Sequence, residues 1–443
     1  MSQTAAASKA RKPISKNATW AWMLWDWAEQ PYPTIIQTFI FATYITSSYF
    51  GPNKDVLASQ LGIGGAIAGL AVALSAPVFG RRSDAAGHRK RWLLINSGIL
   101  TAIMVATYFV EPLPSFFVFG VVLYSIGSVV QETSFINYYA MLKQVTNPTS
   151  MGRISGMAWG LGYVGGILLL VFSLFGFVTP DVPLFGVSTA NAENIRVLFL
   201  FSAVWMTVFT IPLALFVPEV EATNEKIARE SIGASYRALF AQLGDLRRRS
   251  PDVLKYLIAS AVYRDGLAGV FTFGAILGSV AFGFSQTQVI MFGIAANIVA
   301  GLGAGLGGIM DDRIGTKRTI MISLVGLLVA GTGVFAFAGA GKITYWTLGL
   351  VLCLFVGPAQ ASSRTFMARI APDGREGELF GLYQTTGRAA SFLSPSMWSL
   401  SLTIAGAAGA ANASIFGILG IMVVLLVGLA LFMRVHPNPK IAE

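Results

Sequence analysis

Apolar stretches, each long enough for a membrane helix of about 20 residues, alternate along the chain with short polar segments. Twelve such spans can be drawn, at about 20–48, 58–80, 91–110, 114–141, 154–177, 195–217, 254–282, 286–309, 319–339, 343–368, 377–403 and 412–433. Some contain Pro or polar residues, which membrane helices tolerate when neighbours satisfy the freed backbone groups. The pattern predicts an all-α polytopic membrane protein of twelve transmembrane helices.

The basic residues test this layout. Of 31 Lys and Arg, only Lys54, Arg196 and Lys342 fall on odd-numbered loops, and Arg264, Arg364 and Arg388 fall within spans. The other 25 lie on even loops and the two ends, among them Lys9, Arg11, Lys12, Lys226, Arg229 and Lys440. By the positive-inside rule both termini are expected in the cytoplasm. The organisation is then a cytoplasmic tail (1–19), a six-helix bundle (20–217), a cytoplasmic linker (218–253), a second six-helix bundle (254–433) and a cytoplasmic tail (434–443). The first span is aromatic and interrupted by Asp26, Glu29, Pro31 and Pro33, so it reads as an uncleaved span. The linker is basic and partly amphipathic through Tyr236, Leu239, Phe240, Leu243 and Leu246, as expected of a segment lying on an anionic lipid surface.

Composition narrows the function. Of 443 residues, 54% are apolar and 12% charged, against about 25% charged in soluble domains. A soluble enzyme is thereby excluded. The net charge of +10 follows from the loop bias, so no nucleic-acid partner is implied. Cys353 is the single cysteine and His88 and His436 the only histidines. No metal cluster, cofactor site or nucleotide-binding motif is expected, and no His–Asp or Ser–Asp constellation points to an enzyme. The glycine run at 301–308 lies inside a span and lacks the strand and Lys-Ser/Thr ending of a phosphate loop.

The two halves repeat. Gly80-x-x-x-Asp84-x-x-Gly87-x-Arg89-Lys90 follows the second span, and Gly308-x-x-x-Asp312-Arg313-x-Gly315-x-Lys317-Arg318 follows the eighth, at an offset of 228. Gly152-x-x-x-Gly156 and Gly377-x-x-x-Gly381 open spans five and eleven at an offset of 225. Parallel repeats of this kind build secondary transporters with a site between the halves.

This paired loop resembles the signature of the major facilitator superfamily. The resemblance implies that Asp84 meets the positive N-terminal end of a helix in the other half. Arg89 and Lys90 would pair with acids or headgroups, and the loop would latch the cytoplasmic side. Ala85 stands where the superfamily has a basic residue, a place Arg313 fills in the second copy. The blocks Trp25-Asp26-Trp27-Ala28-Glu29-Gln30-Pro31-Tyr32, Gly152 through Gly166, Gly357 through Arg364, and Gly387-Arg388 are similar to the vacuole-effluxer-like, or unknown major facilitator, family. Yeast members of that family are linked to amino-acid efflux from the vacuole. Glu29-Gln30-Pro31 replaces its Asn-Ser-Ala.

Ionisable groups within spans are costly and need partners or a cavity. Asp26, Glu29, Glu132, Arg264, Asp265 and Arg364 fall in spans one, four, seven and ten, which line the cavity in the resembled superfamily; Arg388 lies in span eleven. Asp26 reads either as an interfacial carboxylate or as a cavity group. Glu132 reads as the proton-linked acid or as half of an ion pair with an Arg of the other half. Arg364 reads as an anion-binding fork or as a partner of Glu132 or Asp26. Asp265 is expected to mirror Asp26, and Arg388 aligns with Tyr163. The expected substrate site comprises Asp26, Glu29, Gln37, Asn137, Tyr138, Tyr163, Arg264, Gln360, Arg364, Gln384 and Arg388, with Glu132, Asp26 and Asp265 for proton coupling. The expected function is a secondary transporter, symporter or antiporter, of a small anionic or zwitterionic, amino-acid-like solute. It would work as a monomer in a bacterial inner membrane. The alternatives are a fluxless sensor or a carrier of another organic anion or a lipid-like metabolite.

Overall fold

The computed structural model describes residues 14–219, 230–410 and 412–436. Lys9, Arg11, Lys12, Lys226, Arg229 and Lys440, and the side chains of Leu239, Phe240, Leu243 and Leu246, lie outside the described residues. Among the described residues there are helices and no strands.

The helices are α1 (Lys16–Ala28), α2 (Lys54–Ala86), α3 (Arg89–Thr107), α4 (Phe117–Ala140), α5 (Met151–Ser173), α6 (Glu193–Phe216), α7 (Pro251–Ile276), α8 (Gln286–Ile314), α9 (Thr316–Ala336), α10 (Leu350–Ile370), α11 in two pieces (Glu376–Ala390 and Leu393–Ala407) and α12 (Gly417–Met433). A linker helix, Ile232–Arg249, joins the halves. Each predicted span overlaps one of these helices; the first continues past α1 through Tyr32–Phe39 and Phe41–Ile45. Eight of them (α2, α4, α5, α6, α8, α9, α10 and α12) are long and apolar enough to cross a membrane by length and composition. The other four are short, broken or charged: α1 holds Asp26, α3 opens on Arg89-Lys90-Arg91, α7 holds Arg264-Asp265 and α11 holds Glu376, Glu378 and Arg388.

The lipid-type surface lies outside. On α2, Ile63, Ile67, Leu70 and Leu74 recur at helical spacing and are all more than half exposed. The opposite stripe, Leu57, Leu61, Ala68, Val72 and Ala76, is buried. Polar residues are inside: Asp26, Glu29, Asp265 and Arg364 are all buried. This inverts the soluble arrangement, as an apolar solvent requires.

Helix ends follow local chemistry. Asn53 caps α2 by accepting from the N–H groups of Asp55 and Val56 at 3.0 and 3.2 Å. Gly87 ends α2 at φ 67°, a left-handed conformation that glycine adopts without a Cβ clash. Pro31 and Pro33 follow α1, and the chain widens into a π-helical stretch, Tyr32–Phe39. Prolines supply no N–H, and the Thr38 hydroxyl satisfies the Pro33 carbonyl at 2.7 Å.

The halves meet along two crossings, α2 on α11 and α5 on α8. Both are backbone-tight. A Cβ on Gly80 would lie 2.0 Å from the Gly377 carbonyl oxygen, and one on Gly156 would lie 2.3 Å from the Ala304 carbonyl oxygen. These crossings sit toward the face that carries the start of α1 and the end of α12, called here the terminal face.

Candidate transport site

Between the halves lies a cavity of about 960 Å³. Its wall runs from Asp26, Glu29, Trp159 and Gln360 out to Ser47, Tyr49, Val178 and Tyr345, at or beside the loops opposite the terminal face. The cavity therefore opens away from the terminal face and is closed toward it.

The floor is built on α1, α4, α5 and α10. Asp26 accepts a hydrogen bond from the Tyr138 hydroxyl at 2.8 Å and is paired with the Arg364 Nη1 at 3.2 Å. Arg364 also donates through Nε to the Ser155 hydroxyl at 3.0 Å and through Nη2 to the Ser155 carbonyl at 2.8 Å. Its guanidinium carbon lies 5.0–5.5 Å from the ring centres of Trp159, Trp22, Tyr139 and Tyr138. An arginine of the second half is thus seated in an aromatic cage of the first half. Of the readings open for Arg364, the geometry places it as the partner of Asp26. It is not among the cavity-lining residues.

Glu29, one turn further, is buried and lines the cavity. Its oxygens accept from the side-chain amides of Gln30 and Gln131, each at 2.9 Å. Glu132 also lines the cavity; it is ion-paired with Arg388 and accepts from the Gln384 amide at 2.7 Å. That pair crosses from α4 to α11. Arg388 reaches a second, smaller cavity of about 580 Å³ beside Tyr124, Ser128 and Gln37. Gln37 lines both cavities and donates to the Ser128 hydroxyl at 3.0 Å. Tyr163 donates to Gln360 at 3.0 Å across the halves, and both line the main cavity.

Other expected site residues stand off the lining. Arg264 donates to the Tyr383 carbonyl and to Gln384 and lies 3.7 Å from the Tyr383 ring centre. Asp265 accepts the Ser394 backbone N–H at 2.6 Å, fastening the start of the second piece of α11. It works within its own half, whereas Asp26 pairs across halves. Tyr138 is buried under Asp26, and Asn137 accepts from the Ser83 hydroxyl near the terminal face.

The repeated loop closes the terminal face. Asp84 accepts the Glu378 N–H at 2.8 Å, in the first turn of α11, and pairs with Arg89 at 2.5 Å. Arg89 reaches on to Glu376 at 2.6 Å, and Lys143 approaches Glu376 at 3.6 Å. In the second copy Asp312 accepts the N–H groups of Gly152 and Arg153, in the first turn of α5, at 2.8 and 2.9 Å. Arg369 bridges Asp311 and Asp312 at 2.6 and 3.2 Å. Lys317 donates to the Met433 and Val435 carbonyls, and Lys90 to the Ala214 carbonyl. Arg313 and Arg318 are exposed and enter no hydrogen bond or ion pair among the described residues. Although Ala85 replaces a basic residue, the first copy has a charge relay, through Arg89. Sequence reading missed Trp22, Ser155, Glu376 and Arg369. Only Glu376, beside Gly377-x-x-x-Gly381, had a local cue.

The family described as "Vacuole effluxer Atg22 like" matches residues 46–441. An uncharacterized MFS-type transporter of Bacillus subtilis, YxiO, is 24% identical over 87% of this chain and 88% of its own length. Autophagy-related protein 22-1 of Neosartorya fischeri is 24% identical over 55% of this chain and 42% of its own length, so the chain spans less than half of that fungal relative. Among solved structures, the proton:xylose symporter XylE aligns over 96% of this chain and 97% of its own, at 14% identity and a TM-score of 0.72. FucP in the outward conformation aligns over 95% and 98%, at 13% identity and a TM-score of 0.69. The likeness to XylE and FucP is one of fold, and the match over residues 46–441 settles the family: this chain is an integral membrane, MFS-type transporter belonging to the vacuole effluxer Atg22-like family.

Proposed function

We propose that the chain is a secondary carrier that moves a small polar solute by rocking its two halves around the central cavity. The observation that carries this reading is the pairing of one cavity, open on one face, with duplicated latches on the other. Opening the latches while closing the far rim gives alternating access. The basic bias assigns the terminal face to the cytoplasm, and the cavity then faces outward. The chain acts as a monomer in a bacterial inner membrane, without enzymatic chemistry.

The solute is amino-acid-like and zwitterionic. A purely anionic solute has less support, because no Lys, Arg or His lines the main cavity among the described residues. Glu29 and Glu132, both on the wall, supply carboxylates through which a proton gradient can drive transport.

Reconstitution tests the reading. Proteoliposomes loaded and energised with a pH gradient should accumulate components of a metabolite mixture saturably. Arg364→Ala and Glu132→Gln should each lower the initial rate at least thirtyfold while monodisperse, inserted protein is retained. Leak-level flux for the unaltered protein, or normal flux in both variants, would overturn it.

A further inference from the structure

Charge on the cavity floor is uneven. Within the bundle, among the described residues, four carboxylates (Asp26, Glu29, Glu132 and Asp265) accompany three guanidiniums (Arg264, Arg364 and Arg388). Arg364 is engaged by Asp26 and Arg388 by Glu132. Arg264 donates to a carbonyl and a carboxamide and covers a tyrosine ring, off the lining. Asp265 is held by the Ser394 N–H. Glu29 remains as the wall carboxylate whose hydrogen-bond partners among the described residues are neutral amides, those of Gln30 and Gln131.

The surfaces that share this cavity are aromatic. Tyr139, Trp159, Tyr163 and Phe271 come from both halves, with Tyr139–Trp159 and Tyr163–Phe271 ring centres 6.4 and 6.2 Å apart. Aromatic faces hold apolar bodies and attract cations through their negative π-faces. A buried carboxylate without a counter-charge is unfavourable, and a cation placed against it removes that cost. Carboxamides on either side fix the carboxylate's orientation without neutralising it.

We infer that the cavity selects solutes that carry an ammonium group on an aromatic body, with the ammonium docked on Glu29 and the body on the aromatic walls. The inference deepens the carrier reading and rests on it only in taking this cavity as the solute site. It makes the amine, and not the carboxylate, the recognised end of a zwitterion. A negative charge on the solute has no counter-ion on the wall among the described residues and must point toward the open rim.

The test uses three near-isosteric probes, phenethylamine, phenylalanine and 3-phenylpropionate, in equilibrium titrations of the full chain in detergent at constant pH. Phenethylamine and phenylalanine should bind at least tenfold more tightly than 3-phenylpropionate. Glu29→Gln should weaken phenethylamine at least tenfold and leave 3-phenylpropionate within twofold. Glu29→Asp keeps the charge and should recover part of the loss, which separates a charge effect from a folding defect. Tighter binding of 3-phenylpropionate, no binding of any probe, or a Glu29→Gln variant that binds phenethylamine normally would each overturn the inference. Binding is read without flux. Glu29-dependent binding in a chain that fails to transport would therefore sink the carrier and spare the ammonium site.

Discussion

The two copies of the repeated loop share a skeleton and differ in their wiring. In each, a carboxylate receives N–H groups from the first turn of a helix in the other half, Asp84 from α11 and Asp312 from α5. In each, glycines bring backbones together where a Cβ would not fit. The cations diverge. Arg89 turns inward and is buried between Asp84 and Glu376. Lys317, at the same place in the second copy, turns outward to the end of α12. The position that corresponds to Glu376 at the offset of 225 is Met151, which offers no charge to pull a cation in. There Arg369 arrives from α10 instead and bridges two aspartates. Duplication thus preserves the contact that a helix dipole and a glycine crossing provide, while side-chain pairs are free to be rebuilt.

This comparison can be broken in stages. The largest effect is expected at the shared element. Gly80→Val and Gly308→Val each place side-chain atoms into opposing backbone, at 2.0 Å from Gly377 and 2.5 Å from Gly152 for the Cβ alone. Each should stop the terminal face from closing. Spin-label distances across that face, in a Cys353→Ala background, should lengthen, and flux should fall to background. A shift in only one variant would show that a single crossing bears the gate.

A middle effect separates the two arginines. The Arg89 side chain is 5% exposed and that of Arg369 is 28% exposed. Breaking a buried pair costs about 3–5 kcal/mol; Arg369 is better screened by solvent, although its partner Asp311 is buried. Arg89→Ala should depopulate the closed terminal face more than Arg369→Ala, read by the same label distances. Equal shifts would mean that burial does not set the strength of the latch.

The smallest effect concerns the helix-end lysines. A cation at a helix C-terminus contributes about 0.3–1 kcal/mol. Lys317 reaches two carbonyls, at 3.0 and 2.5 Å, and Lys90 reaches one, at 3.3 Å. Lys317→Ala should lower the unfolding temperature by more than Lys90→Ala. The reverse order would place the weight on the first half.

The fold was legible because hydropathy and loop charge are local signals. The predicted spans coincide with helices even where Asp26, Arg264 or Arg388 interrupts them. Those same interruptions, together with the Arg89-Lys90-Arg91 start of α3, leave α1, α3, α7 and α11 short of a simple apolar span. The latch was legible for a different reason: its glycines and aspartates recur at a fixed offset. The pairing of the inner charges was not. Arg364 and Asp26 are 338 positions apart, and Arg388 and Glu132 are 256 apart. Nothing in local spacing distinguishes Asp26 from Glu29 as the partner of an arginine. The aromatic cage was hidden likewise, because Trp22 and Trp159 have the same local pattern as interfacial or packing residues. Asp265 shows a further limit of local reading. A charge inside a span suggests transport chemistry, and nothing local announces that it also receives the Ser394 N–H at the start of the second piece of α11.

The one-sided opening of the cavity has an electrical consequence. A wide vestibule filled with electrolyte supports little voltage drop. In the proposed carrier most of the membrane potential would then fall across the closed side, where the Arg364 cage and the glycine crossings lie. Glu29 lines the cavity beside Asp26, so the proposed rocking of the halves would move this charge through the field. At about 2.3 kcal/mol per unit charge per 100 mV, the return of the unloaded carrier would sense the potential. A loaded form with the proposed ammonium on Glu29 would not.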